Sequence, residues 1–229
     1  MKNLRATYLS CYAPSLSNHI PSWKEWAAGS RTIPDEDESP KLEFTSPLFR
    51  RRLSQLTKMT VQTVHDTLEK AGRLQDTGDL KIFFAGNSGE ISREFQINSQ
   101  LIQDQEILPA SFSLSVFNAA PAQATLALKM HGGYTAAYAS KGNFSDSLIS
   151  AAAAVLCGDE KEILFVWSQE KIPQEYGSLK PEHSEPFSFA FILDAKDSGS
   201  NESCSTCFNI DSIRNLTAQD FLKTLLADL

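Results

Sequence analysis

Ser140-Lys141 falls in a turn, Ser140-Lys-Gly-Asn143, between a short apolar run and an alanine-rich stretch. A hydroxyl beside an amine at a helix start is one way to build a nucleophile. Free N–H groups and the helix dipole stabilise an anion there, and a lysine of depressed pKa can act as base. Such a pair would support acyl transfer or hydrolysis; its ordinary alternative is a surface or interface lysine. Cys204-Ser-Thr-Cys207 is the second candidate. A structural zinc site needs four ligands, and no second close cysteine pair exists. A redox pair normally sits between a strand and a helix. The Ser-, Gly- and Asn-rich segment 197–206 reads instead as a surface loop, so a bystander role is expected. His19, His65, His131 and His183 fall in a loop, mid-helix, at a helix end and in a proline-flanked loop. His131 is expected as a dipole partner rather than a catalyst. Gly86-Asn-Ser-Gly89 has no lysine-bearing phosphate loop after it, which excludes nucleotide binding. Cys157 is expected as a small buried residue. No metal and no cofactor is implied.

Elements must position these groups. Asn118 is expected to cap a helix in which Ala120, Ala124, Ala127 and Leu128 recur at helical spacing. Pro121 is tolerable in its first turn, and Gly132-Gly133 is expected to stop it. Tyr134–Ala139 reads as a buried strand. After the turn, Asn143 or Ser145 caps a helix whose buried face is Leu148, Ile149, Ala152, Val155 and Leu156.

Upstream, Ala6–Ala13 suits a strand, and Ser22-Trp-Lys-Glu-Trp26 a short helix capped by Ser22. Residues 29–46, with their acidic run Asp35-Glu-Asp-Glu38, read as a polar loop whose charges are solvated. Ser46-Pro47 signals a helix start, and Leu53, Leu56, Thr60, Val64 and Leu68 carry that helix to about Gly72. Arg50, Arg51 and Arg52 would lie in its first turns. Leu80–Ala85 is a strand and Ile91–Ile102 a helix. Ile163–Val166 and Phe187–Leu193 are strands separated by a loop, Pro173–Pro186. Ser212 or Thr217 opens a final helix that buries Phe221, Leu222, Leu225 and Leu226. This order predicts an α/β fold with about five strands in a mixed sheet and helices on both faces.

The 229 residues, 41% hydrophobic and 21% charged, are ordinary globular composition. A net charge of −7 argues against wholesale nucleic-acid binding. No apolar run reaches membrane-spanning length, and the N-terminus lacks a signal-peptide core. Four cysteines make no disulfide framework at this length, so a reduced, cytoplasmic setting is expected.

The stretch from Leu108 to Leu156 resembles the segment around the active-site cysteine of β-ketoacyl synthases. Gly158-Asp159 followed by Glu162–Trp167 is similar to the strand that comes next in that family, and Phe49–Met59 (FRRRLSQLTKM) to its arginine-rich helix. Trp23 and Trp26 resemble the opening of a short branch, the chain length factors of aryl polyene and related type II polyketide systems. The likeness runs from about Trp23 to Asp194. It implies that residues 1–229 form a single domain, half of a thiolase-like fold. The family's cysteine falls on Lys141, within one residue, and a lysine cannot carry the acyl thioester. The two catalytic histidines belong to a second half for which this chain has no room.

The resemblance therefore implies a catalytically silent subunit paired with an active synthase, with acyl carrier protein as a transient partner and a polyketide or polyene chain as the guest. It implies a dimer interface at Tyr134, Thr135, Ala136, Ala137, Tyr138 and Ala139. The expected tunnel wall is Asn87, Ser88, Glu90, Ile91, Phe112, Phe117 and Asn118. Arg50, Arg51 and Arg52 could meet the carrier protein. An enzyme using Ser140/Lys141 and a self-associating acyl-binding homodimer are the alternatives.

Overall fold

In the computed structural model, which describes residues 3–138, 144–180, 184–196 and 205–229, six strands form one sheet in the order β3-β2-β4-β5-β1-β6. They are β1 Asn3–Tyr12, β2 Lys81–Ala85, β3 Tyr134–Ala137, β4 Glu162–Gln169, β5 Phe187–Lys196 and β6 Ser205–Phe208. β3, β2 and β4 run parallel; β5, β1 and β6 continue the sheet antiparallel. Arg5 and Asp194 sit opposite each other across β1 and β5. There Arg5 Nε and Nη2 bond the two carboxylate oxygens at 3.0 and 2.9 Å, a bidentate pair that fixes register.

The continuous apolar runs become two-faced strands because successive side chains alternate. Phe165, Trp167, Phe189 and Phe191 point to one face, which is covered by α1 Ile20–Ala27, α7 Phe144–Cys157 and α9 Ala218–Ala227. Leu164, Val166, Ala190 and Ile192 point to the other, under α3 Gln55–Lys70 and α6 Ala119–Leu128. The first face is aromatic: Phe144 lies 5.3 Å from both Trp167 and Phe221, edge-on to the former. The second carries a buried hydroxyl chain. Thr60 Oγ1 donates to Ser168 Oγ at 2.9 Å, Ser168 Oγ lies 2.7 Å from Ser188 Oγ, and Ser188 Oγ lies 2.9 Å from Thr63 Oγ1.

Several expectations need correction. The segment Ser46–Gly72 is two helices, α2 Pro47–Arg50 and α3, because Ser54 supplies a second N-cap by accepting from the Thr57 N–H. Arg50 consequently closes a short helix and Arg51 and Arg52 follow it, where their charge complements the dipole. Ser205 and Thr206, the end of the expected loop 197–206, instead open β6, which pairs with β1. Ser22 is buried inside α1 rather than capping it. α6 ends when Lys129 adopts a left-handed conformation, ahead of the two glycines. Gly132 is needed for another reason: a Cβ there would collide with the Asp79 and Leu80 carbonyls. Cys157 is exposed, and Ile149 and Leu156 are only half-buried. The final stretch is also two helices, α8 Ile210–Ile213 capped by Asn209 and α9 capped by Thr217. A 3-10 turn, Gln174–Leu179, interrupts the loop after β4. No helix among the described residues is long and apolar enough to cross a membrane.

Candidate functional site

The carboxyl ends of parallel strands in an open α/β sheet are where ligand crevices form. Here those ends carry Tyr138 after β3, the Gly86–Glu90 loop after β2, and Glu170 after β4. Asn87, Ser88 and Ile91, three of the predicted tunnel residues, line a cavity of about 140 Å³ with Glu170, Ile172, Tyr176 and Leu179. Asn87 Nδ2 donates to Gln169 Oε1 at 3.0 Å, tying the loop to β4.

Glu90 is 2% exposed and does not line that cavity. Its Oε1 accepts from Ser54 Oγ at 2.8 Å and from Thr57 Oγ1 at 2.5 Å, and its Oε2 from Arg93 Nε at 3.4 Å. Glu170 is equally deep, at 1%. Its Oε1 accepts from the Ser92 N–H at 3.0 Å and its Oε2 from the Leu56 N–H at 3.3 Å. Those are second-residue N–H groups of α4 Ile91–Asp104 and of α3. One side chain therefore bridges the starts of two helices, where orphan N–H groups need acceptors. Burial raises the pKa of both carboxyls, and the Glu90 charge raises Glu170 further, to about 8.

Tyr138 joins the cavity loop to a second group of predicted residues. Its hydroxyl donates to the Phe117 carbonyl at 3.2 Å, and its ring packs on Phe117 and edge-on to Phe84. Gly89 has φ +61°, and a Cβ there would lie 3.0 Å from the Tyr138 hydroxyl, so both backbone and space call for glycine. Burial, with Glu90, Glu94 and Glu170 nearby, raises the Tyr138 pKa. Asn118 occupies the N-cap position of α6, as expected, but its side chain makes no capping bond; its Nδ2 donates instead to Tyr134 Oη at 2.8 Å. Phe112, on α5 Pro109–Phe112, is 58% exposed and Phe117 49%.

Among the described residues β3 is the outer strand of the sheet, paired only with β2, with Thr135 exposed and Tyr134, Ala136 and Ala137 half-buried. Tyr138 lies just past its end; Ala139, Ser140 and Lys141, like His183 and Cys204, lie outside the described residues. Arg51 and Arg52 are exposed, while Arg50 Nη1 donates to the Leu42 carbonyl at 3.4 Å. Among the described residues the site offers neither cysteine nor histidine: Cys11 is buried in β1 with its pKa raised by burial, and Cys207 lies on β6. What the described groups provide is shape, amide and hydroxyl hydrogen bonds, and two carboxyls already engaged.

The buried glutamates were not recognisable as a pair in the sequence, because charge normally signals surface. Only the meeting of residues 54–57, 90–93 and 170 makes them one unit.

Sheet order, two helical layers and a site at the strand ends define a thiolase-like α/β half. The match of residues 23–223 to the beta-ketoacyl synthase N-terminal domain places the chain in that family. No curated protein is detectably similar in sequence. Among solved structures, the chain resembles one from the ketosynthase (ApeO) in complex with its chain length factor (ApeC) from Xenorhabdus doucetiae. That match has TM-score 0.70 and 24% identity, covering 86% of this chain and 81% of that one. The ishigamide ketosynthase/chain length factor matches with TM-score 0.69 and 12% identity over 86% of this chain and 63% of that one. AntDE:AntF, a type II polyketide acyl-carrier protein in complex with its ketosynthase bound to the hexaketide, matches with TM-score 0.64 and 14% identity. It is covered over 85% of this chain and 64% of that one. The chain thus spans under two thirds of the latter two.

Proposed function

We propose that this chain, acting as one domain, is a non-catalytic chain length factor that pairs with a β-ketoacyl-ACP synthase in the cytoplasm. The reaction it serves is polyketide chain extension of the aryl polyene kind. The observation that carries this reading is β3, among the described residues an outer strand with an unpaired edge and no charged side chain. Phe112, Val116 and Phe117 are exposed apolar side chains, and Phe117 packs on Tyr138 just past the end of that strand. An apolar edge of this kind invites pairing, and a patch of exposed aromatics marks an interaction surface. In this reading Tyr134–Ala139 meets the synthase. Asn87, Ser88, Ile91, Phe112, Phe117 and Asn118 wall the acyl tunnel, and Glu90 ends the loop that carries the first two of them and precedes Ile91. Condensation takes place at the synthase's cysteine, and the tunnel sets product length because an over-long chain would meet steric overlap. Arg51 and Arg52 are the contacts offered to an acidic carrier protein.

Co-expression with a ketosynthase, tagging this chain only, followed by native mass spectrometry, tests the pairing. A one-to-one complex is the expected result. A chain that stays alone or self-associates overturns it, and activity of the isolated chain lost on Ser140→Ala would establish an enzyme instead.

A further inference from the structure

Building on the subunit role above, we infer that Tyr138 is a positioning residue: its hydroxyl couples the pairing edge of β3 to both walls of the tunnel and so tunes product length from outside the cavity. Tyr138 is not among the residues that line the 140 Å³ cavity. Side chains alternate along β3, so Tyr134, Ala136 and Tyr138 turn toward the α3 and α6 layer. Ala137 stands opposite Ala85 of β2, which brings Tyr138 level with the start of the Gly86–Glu90 loop.

Both tyrosines hold the corner that leads into α6. Tyr134 Oη accepts from Asn118 Nδ2 at 2.8 Å, and Tyr138 Oη donates to the Phe117 carbonyl at 3.2 Å. Tyr138 also reaches the cavity loop. A Cβ built on Gly89 would lie 3.0 Å from its Oη, but 3.5 and 3.6 Å from its Cζ and Cε1. Phe84 of β2 backs the ring, with centroids 6.2 Å apart and planes at 62°. The two halves of the expected tunnel wall, Asn87 with Ser88 and Phe117 with Asn118, therefore meet at one phenol.

The phenol keeps its proton. Burial opposes ionisation, and the negative charges of Glu90, Glu94 and Glu170 oppose it further. The bond to the Phe117 carbonyl is thus available throughout the neutral pH range. A strand added to the free edge of β3 would order the end of that strand. Tyr138 would pass that order to the Phe117 corner and to the Gly89 turn together. A purely space-filling role needs only the ring; the hydroxyl makes the two contacts that set this residue apart.

Tyr138→Phe keeps the ring and removes that atom. Co-expressed with a ketosynthase, the variant should still give a one-to-one complex in native mass spectrometry. The ratio of over-length to normal product should rise about two- to tenfold, the ratio that one lost hydrogen bond carries. Gly89→Ala places a methyl against the hydroxyl and strains a left-handed backbone, so it should lower Tm by several degrees. Adding Tyr138→Phe removes the atom in closest contact and should recover part of that loss. Tyr134→Phe, which frees Asn118 instead, should recover none. An unchanged product ratio in the Tyr138→Phe complex overturns the coupling. So does an equal Tm loss from Gly89→Ala with and without Tyr138→Phe. Failure of the unmodified chain to pair overturns the subunit role itself, and native mass spectrometry reads that separately.

Discussion

On one face of the sheet Phe165, Trp167, Phe189 and Phe191 pack against Phe144 and Phe221. On the other, Ser168 and Ser188 of the same two strands meet Thr60 and Thr63 of α3. The aromatic face is dry and non-directional; its free energy is area and packing. The α3 face is directional. Its hydroxyl chain and the two glutamates at its end fix where α3, α4 and the Gly86–Glu90 loop sit. Low dielectric strengthens such a network when every member is satisfied. The lesson is a division of labour: one face supplies stability, and the other supplies the position of the site.

The largest effect should come from the aromatic face. Phe144→Ala removes a fully buried ring and should cost about 3–5 kcal/mol in denaturant unfolding, equally at pH 5 and pH 8. A loss relative to the unmodified chain that differed strongly between those two pH values would break the comparison. Next comes Glu170→Gln, whose amide cannot accept from both helix starts. It should cost about 1–3 kcal/mol. Because the folded Glu170 pKa is raised from 4.5 to about 8, the folded state holds this proton more tightly. The stabilisation is complete below about pH 4.5 and lost as the pH rises through about 8. Unfolding curves across that window should slope downward in the unmodified chain and flatten in Glu170→Gln.

Thr60→Val cuts the hydroxyl chain at its head and should cost about 1 kcal/mol, read as a shift in melting temperature. Smallest in stability is Phe117→Ala at the exposed edge, within about 0.5 kcal/mol. Its readout is instead the length of the product made by the paired synthase, which should increase. Unchanged product length would remove Phe117 from the tunnel wall.

Periodicity carried most of the fold. Leu56, Thr60, Val64 and Leu68 are buried as their spacing predicts, and so are Phe221, Leu222, Leu225 and Leu226. The runs 80–85, 163–166 and 187–193 are strands because unbroken apolar segments suit a sheet covered on both faces. The break before α3 escaped notice because the hydrophobic spacing runs straight through Ser54, and only a bond to the Thr57 N–H reveals a cap. β6 escaped because four residues beside a polar segment carry little pattern; its partner β1 lies at the other end of the chain. Of the site, Asn87, Ser88 and Ile91 line one cavity. Glu170 did not announce itself, since its burial depends on helix starts 78 and 114 positions away in the chain.

β1 lies between β5 and β6, and Asn3 is registered against Lys196. During synthesis the first strand therefore emerges long before either neighbour exists. The sheet can close only when nearly the whole chain has left the ribosome, and loop closure over such a span slows the search. Until then β1 carries two unsatisfied edges, an intermediate that chaperones would recognise and that aggregation would compete for. Early termination of translation should yield insoluble fragments rather than smaller folded ones.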